Sequence, residues 1–346
     1  MKPRAKKQQG FTLIELMISI VLGLLLVAAA IQLFSGGIIT TRLQQANAEL
    51  QDSGIFGLDY ITRDIRLVNY DNVSNPILND RTSWGGIVLT SKTAADSTVN
   101  LPANLTNSTT YFDSTSISNS ALLTHSVGTY PVESVSTAAN AWAGLSNVSW
   151  TDSSSVTGTA SDQLTIQFVA PTAMTNCEGA NVQAGDLIIE RFFLRLDSNG
   201  ALSNDYALAC DANTPTAAGT APLAQPSLIT GLGDAGQIIM PRIDHFHILL
   251  GARNASGNLA YYTVNQYRKA AQTARNATPA IVPPRILSIR IAVLVRSNDS
   301  TNSSVVDPTS SFMMLDQTVT PSDAATRYVR RVYTTTASLR NAMGDI

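Results

Sequence analysis

From Leu16 to Phe34 the chain runs 19 residues without a charge, and only Ser19 and Gln32 in that run are distinctly polar. At a rise of 1.5 Å per residue, about 20 apolar residues cross a hydrocarbon layer of about 30 Å. Such a segment selects its surroundings before it selects a fold: it belongs in a bilayer or among other apolar helices. Residues 1–10 carry Lys2, Arg4, Lys6 and Lys7 and no acid. A basic leader stays on the cytoplasmic side, so the remainder is expected beyond the membrane. The alternative is a cleaved secretory signal, whose apolar core spans only about 7–15 residues. The run here is longer, although Ala28-Ala29-Ala30 imitates a cleavage site.

Past residue 10 the balance is mildly acidic, with 19 basic against 25 acidic side chains and only two lysines, Lys92 and Lys269. Charged residues make up 14% of the chain, against about 25% in an ordinary domain. Ser, Thr and Asn take their place. This excludes a coiled-coil rod, a charged disordered tail and a histone-like basic binder. It also gives no electrostatic reason to expect nucleic acid as a partner.

Glu15 stands at the edge of the apolar run. A carboxylate costs about 3 kcal/mol at the centre of a bilayer and less near its surface, so a residue kept there is functional by default. The tract Gly10-Phe11-Thr12-Leu13-Ile14-Glu15-Leu16 resembles the processing site of type IV prepilins. The resemblance implies that a membrane peptidase cuts after Gly10 and leaves Phe11 as an N-methylated terminus. The anchor, which follows the cut, is retained. Glu15 then lies four residues from a new amine, about 6 Å along a helix. Its own amine or a neighbouring subunit's neutralises it. Paired charges leaving water together fix subunit register, since only the correct stagger repays their desolvation.

The helical pattern continues past the apolar run. No proline occurs between Arg4 and Pro76, and Ile39, Leu43, Ala46, Leu50, Gly54, Gly57, Ile61, Ile65 and Val68 recur at steps of three or four. Asn69-Tyr70-Asp71-Asn72 and then Pro76 read as the stop. A helix from 11 to about 68 would be roughly 87 Å long. The glycines at 36, 37, 54 and 57 argue for a kink or local melting along it.

The rest reads as a β-rich head. Short strands are expected at 85–90 and 120–124, within a loop-rich region spanning 70–160. Clearer strands follow at 163–169, 187–196, 201–209, 243–250, 259–267 and 286–296, and a last pair at 312–319 and 328–336. In the sixth of these, Leu287, Ile289, Ile291, Val293 and Val295 share one face. One long helix and many strands without βαβ alternation define the expected fold class, α+β: an amino-terminal transmembrane and amphipathic helix packed on a mainly antiparallel head. The expected divisions are a cytoplasmic leader over 1–10, a membrane half over 11–34, a periplasmic helical half over 35–69 and a periplasmic head over 70–346. Cys177 and Cys210, outside the cytoplasm, read as a disulfide, with two free thiols as the alternative.

Several tracts resemble PilW-type minor pilins. They are Ser161 to Thr165, Asn176-Cys177-Glu178-Gly179, Phe192-Phe193, Cys210, Leu250-Gly251-Ala252-Arg253, Gly257, Tyr261-Tyr262, Ile291 to Arg296, Arg327 and Leu339-Arg340-Asn341. Family members often have Tyr where this chain has Leu250. The resemblance implies a minor pilin that joins a membrane-anchored priming or tip complex initiating type IV pilus assembly. Its implied partners are other minor pilins, the major pilin, the prepilin peptidase, the inner-membrane assembly platform and a tip adhesin. Pseudopilin J of type II secretion shares the architecture, and a tip adhesin or DNA-uptake pilin using loops within 70–160 is a further alternative.

Motifs for catalysis and ligands are mostly incomplete. Gly231-Leu232-Gly233-Asp234-Ala235-Gly236 has the dinucleotide-loop spelling, but Pro241 stops the helix which that motif requires, so a turn is expected. His245 and His247 fall on one face of a strand with no third metal ligand evident. Asp197, Asn199 and Asp205 suggest a calcium loop without the spacing of an EF-hand. Arg327, Arg330, Arg331 and Arg340 read as a solvated face or a subunit contact. No enzyme activity, cofactor or metal is expected.

Overall fold

The computed structural model describes residues 10–90, 99–105, 122–127, 144–200 and 202–342. The leader side chains Lys2, Arg4, Lys6 and Lys7 lie outside the described residues. So do Lys92, Ala201, the start of the expected strand at 120–124 and most of the loops expected within 70–160.

Helix α1 (Leu13–Ile65) runs 53 residues, about 80 Å. Both ends are shorter than the sequence suggests. Thr12 is extended and caps the first turn. At the other end Asn69 (φ 64°) and Asp71 (φ 62°) turn the chain out of the helix. Both belong to the residue types that tolerate positive φ. The helix passes through all four glycines without a break.

The strands follow in chain order. First come β1 (Asn104–Leu105), β2 (Val148–Asp152), β3 (Thr157–Gly158), β4 (Leu164–Val169), β5 (Met174–Thr175) and β6 (Asn181–Val182). Next are β7 (Leu187–Leu196), β8 (Tyr206–Ala212), β9 (Leu228–Ile229), β10 (Gln237–Pro241), β11 (Ile243–Arg253) and β12 (Leu259–Tyr262). A second helix, α2 (Val264–Asn276), precedes β13 (Arg285–Arg296), β14 (Phe312–Met314), β15 (Gln317–Pro321) and β16 (Arg330–Ser338). They form three four-stranded antiparallel sheets, ordered β10-β8-β7-β4, β12-β11-β13-β16 and β14-β15-β2-β3. β5 and β6 make a separate small antiparallel pair, and β1 and β9 pair in parallel. The architecture is therefore α+β with one long helix on mainly antiparallel sheet.

The main core lies where the second half of α1 meets the first two sheets. Leu50, Ile61 and Ile65 of the helix join Phe168, Phe192, Met240, Phe246, Ile248, Ile291 and Val293. Burying each large aliphatic side chain contributes about 1.5–3 kcal/mol. The opposite face of the second sheet is covered as well. Ala292 and Leu294 pack against Val148, Trp150 and Val319 of the third sheet. Burial on both faces explains why β11 is enclosed from Ile243 to Ala252.

Five expectations need correction. The strand expected at 201–209 forms at 206–212, because Asp205 closes a turn by accepting from Leu202 N–H through its side chain. The stretch 259–267 is a strand only to Tyr262. Thr263 and Gln266 then form a reciprocal capping box that starts α2. At 85–90 only Ile87 bridges, to Ile166, and at 312–319 a hairpin at Leu315-Asp316 divides the strand. Along β13 a bulge opposite Gly251 and Ala252 puts Ile286 rather than Leu287 into the core.

Candidate functional site

The amino-terminal half of α1 begins with its own cap. Glu15 N–H donates to Thr12 Oγ1 at 3.3 Å. In return Glu15 Oε2 accepts from Thr12 N–H at 3.0 Å and Thr12 Oγ1–H at 2.9 Å. This satisfies donors that every helix start leaves open. In the unprocessed chain, Glu15 is thus committed to the turn next to the expected cut. Phe11 is 88% exposed, and every residue from Gly10 to Arg42 is exposed. None of it is buried against the described head, and it is long and apolar enough to cross a membrane.

The second half is fixed to the head by close contacts. Burial starts at Ala46 and follows Leu50, Gly54, Gly57, Leu58, Ile61 and Ile65. Gly54 lies against the ring of Tyr333 on β16, where a Cβ would stand 2.4 Å from the ring. Gly57 lies against Met240 on β10, where a Cβ would stand 2.1 Å from Cγ. These two glycines, expected to loosen the helix, instead allow it to settle between two sheets. The carboxyl-terminal tract holds the helix end: Asn341 Nδ2 donates to the carbonyls of Arg66 (3.2 Å) and Val68 (3.3 Å). Asn69 Nδ2 donates back to the Asn341 carbonyl at 3.0 Å.

Cys177 and Cys210 are bonded, with Cα atoms 6.0 Å apart. Tyr60 of α1 donates to the Cys177 carbonyl at 3.2 Å, and Cys177 N–H donates to Glu190 Oε1 at 2.9 Å. Asp64 and Glu190 are both fully buried in this seam. Burial raises both carboxyls, and Asp64 adds to the rise of Glu190. On the other side of the bridge, burial with Asp234 and Asp211 close by pushes Glu178 up to about 7. Burial pushes Asp211 up to about 6, against the pull of Arg191.

The other candidate residues are structural. His245 and His247 share a face of β11 but enter separate buried networks. His245 Nδ1 meets the hydroxyls of Ser146 and Ser161 at 3.0 and 3.1 Å, and its Nε2 meets Gln317 Oε1 at 3.0 Å. His247 has a carboxylate on each nitrogen, Asp162 and Asp316, both at 2.7 Å. The suggested calcium loop is occupied by guanidinium groups. Arg242 binds Asp197 at 2.9 Å, and Arg296 pairs with Asp205. The carboxyl-terminal arginines do not form one solvated face. Arg330 is buried on Asp244 at 2.8 Å, while Arg327 donates to the carbonyls of Ser303 and Val306. Gly231 to Gly236 is a turn leading into β10 rather than a helix. Sequence reading missed the Asp205–Arg296–Asp244–Arg330 chain because its members come from three separate strands and the turn before β8. A cavity of about 960 Å³ beside the helix end is lined by Leu67, Met174, Val182 and Gln183, with Arg63 as its one titratable group among the described residues.

Comparison with known proteins agrees with this anatomy. Residues 5–31 match the prokaryotic N-terminal methylation motif, and residues 192–341 match the family of type IV pilus-assembly protein W. A solved type IV-like pilin from Thermus thermophilus aligns with 58% of this chain and 87% of its own, at 14% identity and a TM-score of 0.27. At that score the likeness adds nothing to the sequence matches. No curated protein matches the chain. A methylation-motif terminus on an apolar helix, continued into an α+β head, defines a membrane-anchored type IV pilin-like protein. Within that class the chain is a type IV pilin-like minor pilin whose residues 192–341 are similar to type IV pilus-assembly protein W.

Proposed function

We propose that this minor pilin acts by assembly rather than catalysis, as part of a priming or tip complex that starts a type IV pilus. It is held in the inner membrane by residues 11–34, with the leader 1–10 cytoplasmic and the head, 70–346, periplasmic. Prepilin peptidase removes the leader after Gly10. The new amine of Phe11 then competes with Thr12 for the Glu15 carboxylate, its own or a neighbour's. Other minor pilins join through α1 on the inner-membrane platform, and the head, bulky and attached at one end, tops the fibre.

The observation that carries this reading is the division of α1. Its apolar half, exposed throughout from Gly10 to Arg42, has no partner within the described chain, while its second half is embedded in the head from Ala46. Leaving some twenty apolar side chains in water is costly at about 25 cal/mol per Å². A bilayer, and afterwards a bundle of similar helices, removes that cost.

Mass analysis of the mature amino terminus tests the first step. We expect a methylated Phe11; an intact Met1 or a start near Ala30 would contradict the reading. Replacing Glu15 by Val should leave the chain in the membrane with its disulfide formed, yet reduce co-purification with other minor pilins at least tenfold. Immunogold labelling spread evenly along fibres would rule out the tip position.

A further inference from the structure

We propose that the head carries a calcium site made by Glu178, Asp211 and Asp234, beside the Cys177–Cys210 bridge. One carboxylate oxygen from each residue lies within 4.8 Å of those of the other two. Calcium binds oxygens at about 2.4 Å, so ligands on opposite sides of the ion stand about 4.8 Å apart. All three oxygens fit one coordination sphere.

The three residues are brought together by two devices. Glu178 and Asp211 each directly follow a bridged cysteine, so the disulfide sets them side by side. Asp234 arrives on the glycine-rich turn 231–236, which closes back on β8. Gly233 N–H donates to Asp211 Oδ2 at 2.8 Å. Gly236 (φ +58°) lies so near that a Cβ would stand 2.2 Å from the Cys210 carbonyl oxygen. The dinucleotide-like spelling of this turn thus serves a close approach that other residues would block.

A separate observation points to a ligand. Asp211 is fully buried. Its Oδ2 accepts from Arg191 and Gly233, but its Oδ1 is buried without a hydrogen-bond partner. A buried carboxylate oxygen in that condition is unfavourable. Arg191 donates to Asp211 and to the Asp234 carbonyl. A divalent cation supplies the missing partner and balances the remaining charge. Asp234 is exposed and Glu178 half-buried, so an ion can enter from water and keep waters in its other positions. The donors are oxygens only, since the neighbouring sulfurs are spent on each other. Hard ligands of this kind suit calcium and exclude thiophilic metals.

Calorimetric titration of calcium into the full-length chain, detergent-solubilised and stripped with chelator, tests the site. One equivalent should bind, and calcium should raise the melting temperature over chelator. Glu178→Gln and Asp234→Asn should each weaken binding at least tenfold, while Asp59→Asn, an exposed acid on α1, should leave it unchanged. Melting in chelator checks that the variants fold, and the wild-type titration decides the matter should either fail. No binding at about 10 mM calcium, above the range of the weakest such protein sites, would overturn the proposal. Unaltered binding in both variants would do the same, as would magnesium binding as tightly as calcium.

Discussion

His245 and His247 sit two residues apart on β11, both completely buried, and are held in opposite charge states. A neutral imidazole has one donor and one acceptor nitrogen. His245 meets hydroxyls on one side and an amide oxygen on the other, which suits the neutral ring, and burial beside charged His247 pushes it down to about 3. His247 faces carboxylate oxygens on both nitrogens, so both must carry protons. Burial opposes that charge, but Asp162 and Asp316 prevail and raise the ring to about 9. The consequences for stability have opposite signs. The contribution of His247 is complete below its unfolded value of about 6.5 and disappears as pH rises through 9. His245, depressed in the folded state, reduces stability as pH falls from about 6.5 towards 3. The effect is worth roughly 3 kcal/mol for His247 and roughly 5 kcal/mol for His245. Denaturant titrations from pH 4 to 10 should show a broad maximum near neutrality. We expect His247→Gln to remove most of the alkaline fall and to cost about 3–5 kcal/mol at pH 7, since it leaves the buried Asp162 without its charged partner. A wild-type curve that stays flat between pH 8 and 10 would refute the doubly protonated ring.

Among the elements, α1 shows two influences in competition. Alanine is favoured over glycine in a helix by about 1 kcal/mol. At Gly36 and Gly37 nothing lies within 4 Å, so Ala there should be neutral or slightly stabilising. At Gly54 the added methyl would enter the Tyr333 ring, and overpacking of that kind costs about 1–3 kcal/mol. Gly54→Val should therefore lower the melting temperature clearly while Gly37→Ala does not; the reverse order would mean that helix propensity, not packing, governs this face. The disulfide joins residues 33 apart, and removing it by Cys177→Ser with Cys210→Ser should cost roughly 3–4 kcal/mol in urea unfolding. Helix α2 was missed although its signal stands in the sequence: Thr263-Val264-Asn265-Gln266 spells a capping box, and Val264, Tyr267, Arg268 and Ala271 are spaced to face inward. The aromatic run at Tyr261-Tyr262 drew the reading toward strand, and a local β preference cannot report where a cap will end it.

Over the whole molecule, the anchor and the head behave as separate folding problems joined by one helix. Residues up to Arg42 make no buried contact with the described head. A chain beginning at Gly36 should therefore remain soluble and unfold at the same denaturant concentration as the full chain in detergent. A large loss of stability would show that the apolar half also supports the head. The amino-acid sequence alone determined the anchor, the prepilin-like terminus, the helical stripe from Ala46 to Ile65 and most strands. Those signals reside in neighbouring residues, where apolarity and periodicity act over one or two turns. Only the tertiary structure decided that Gly54 and Gly57 are contact points and that Asp205 and Asp244 answer buried arginines. It also decided that Glu178, Asp211 and Asp234 each bring a carboxylate oxygen within 4.8 Å of the others. Each of those outcomes depends on groups remote in the chain, such as Asp162 and His247 at a separation of 85, and the energy of a buried charge is set by whatever the fold happens to place beside it.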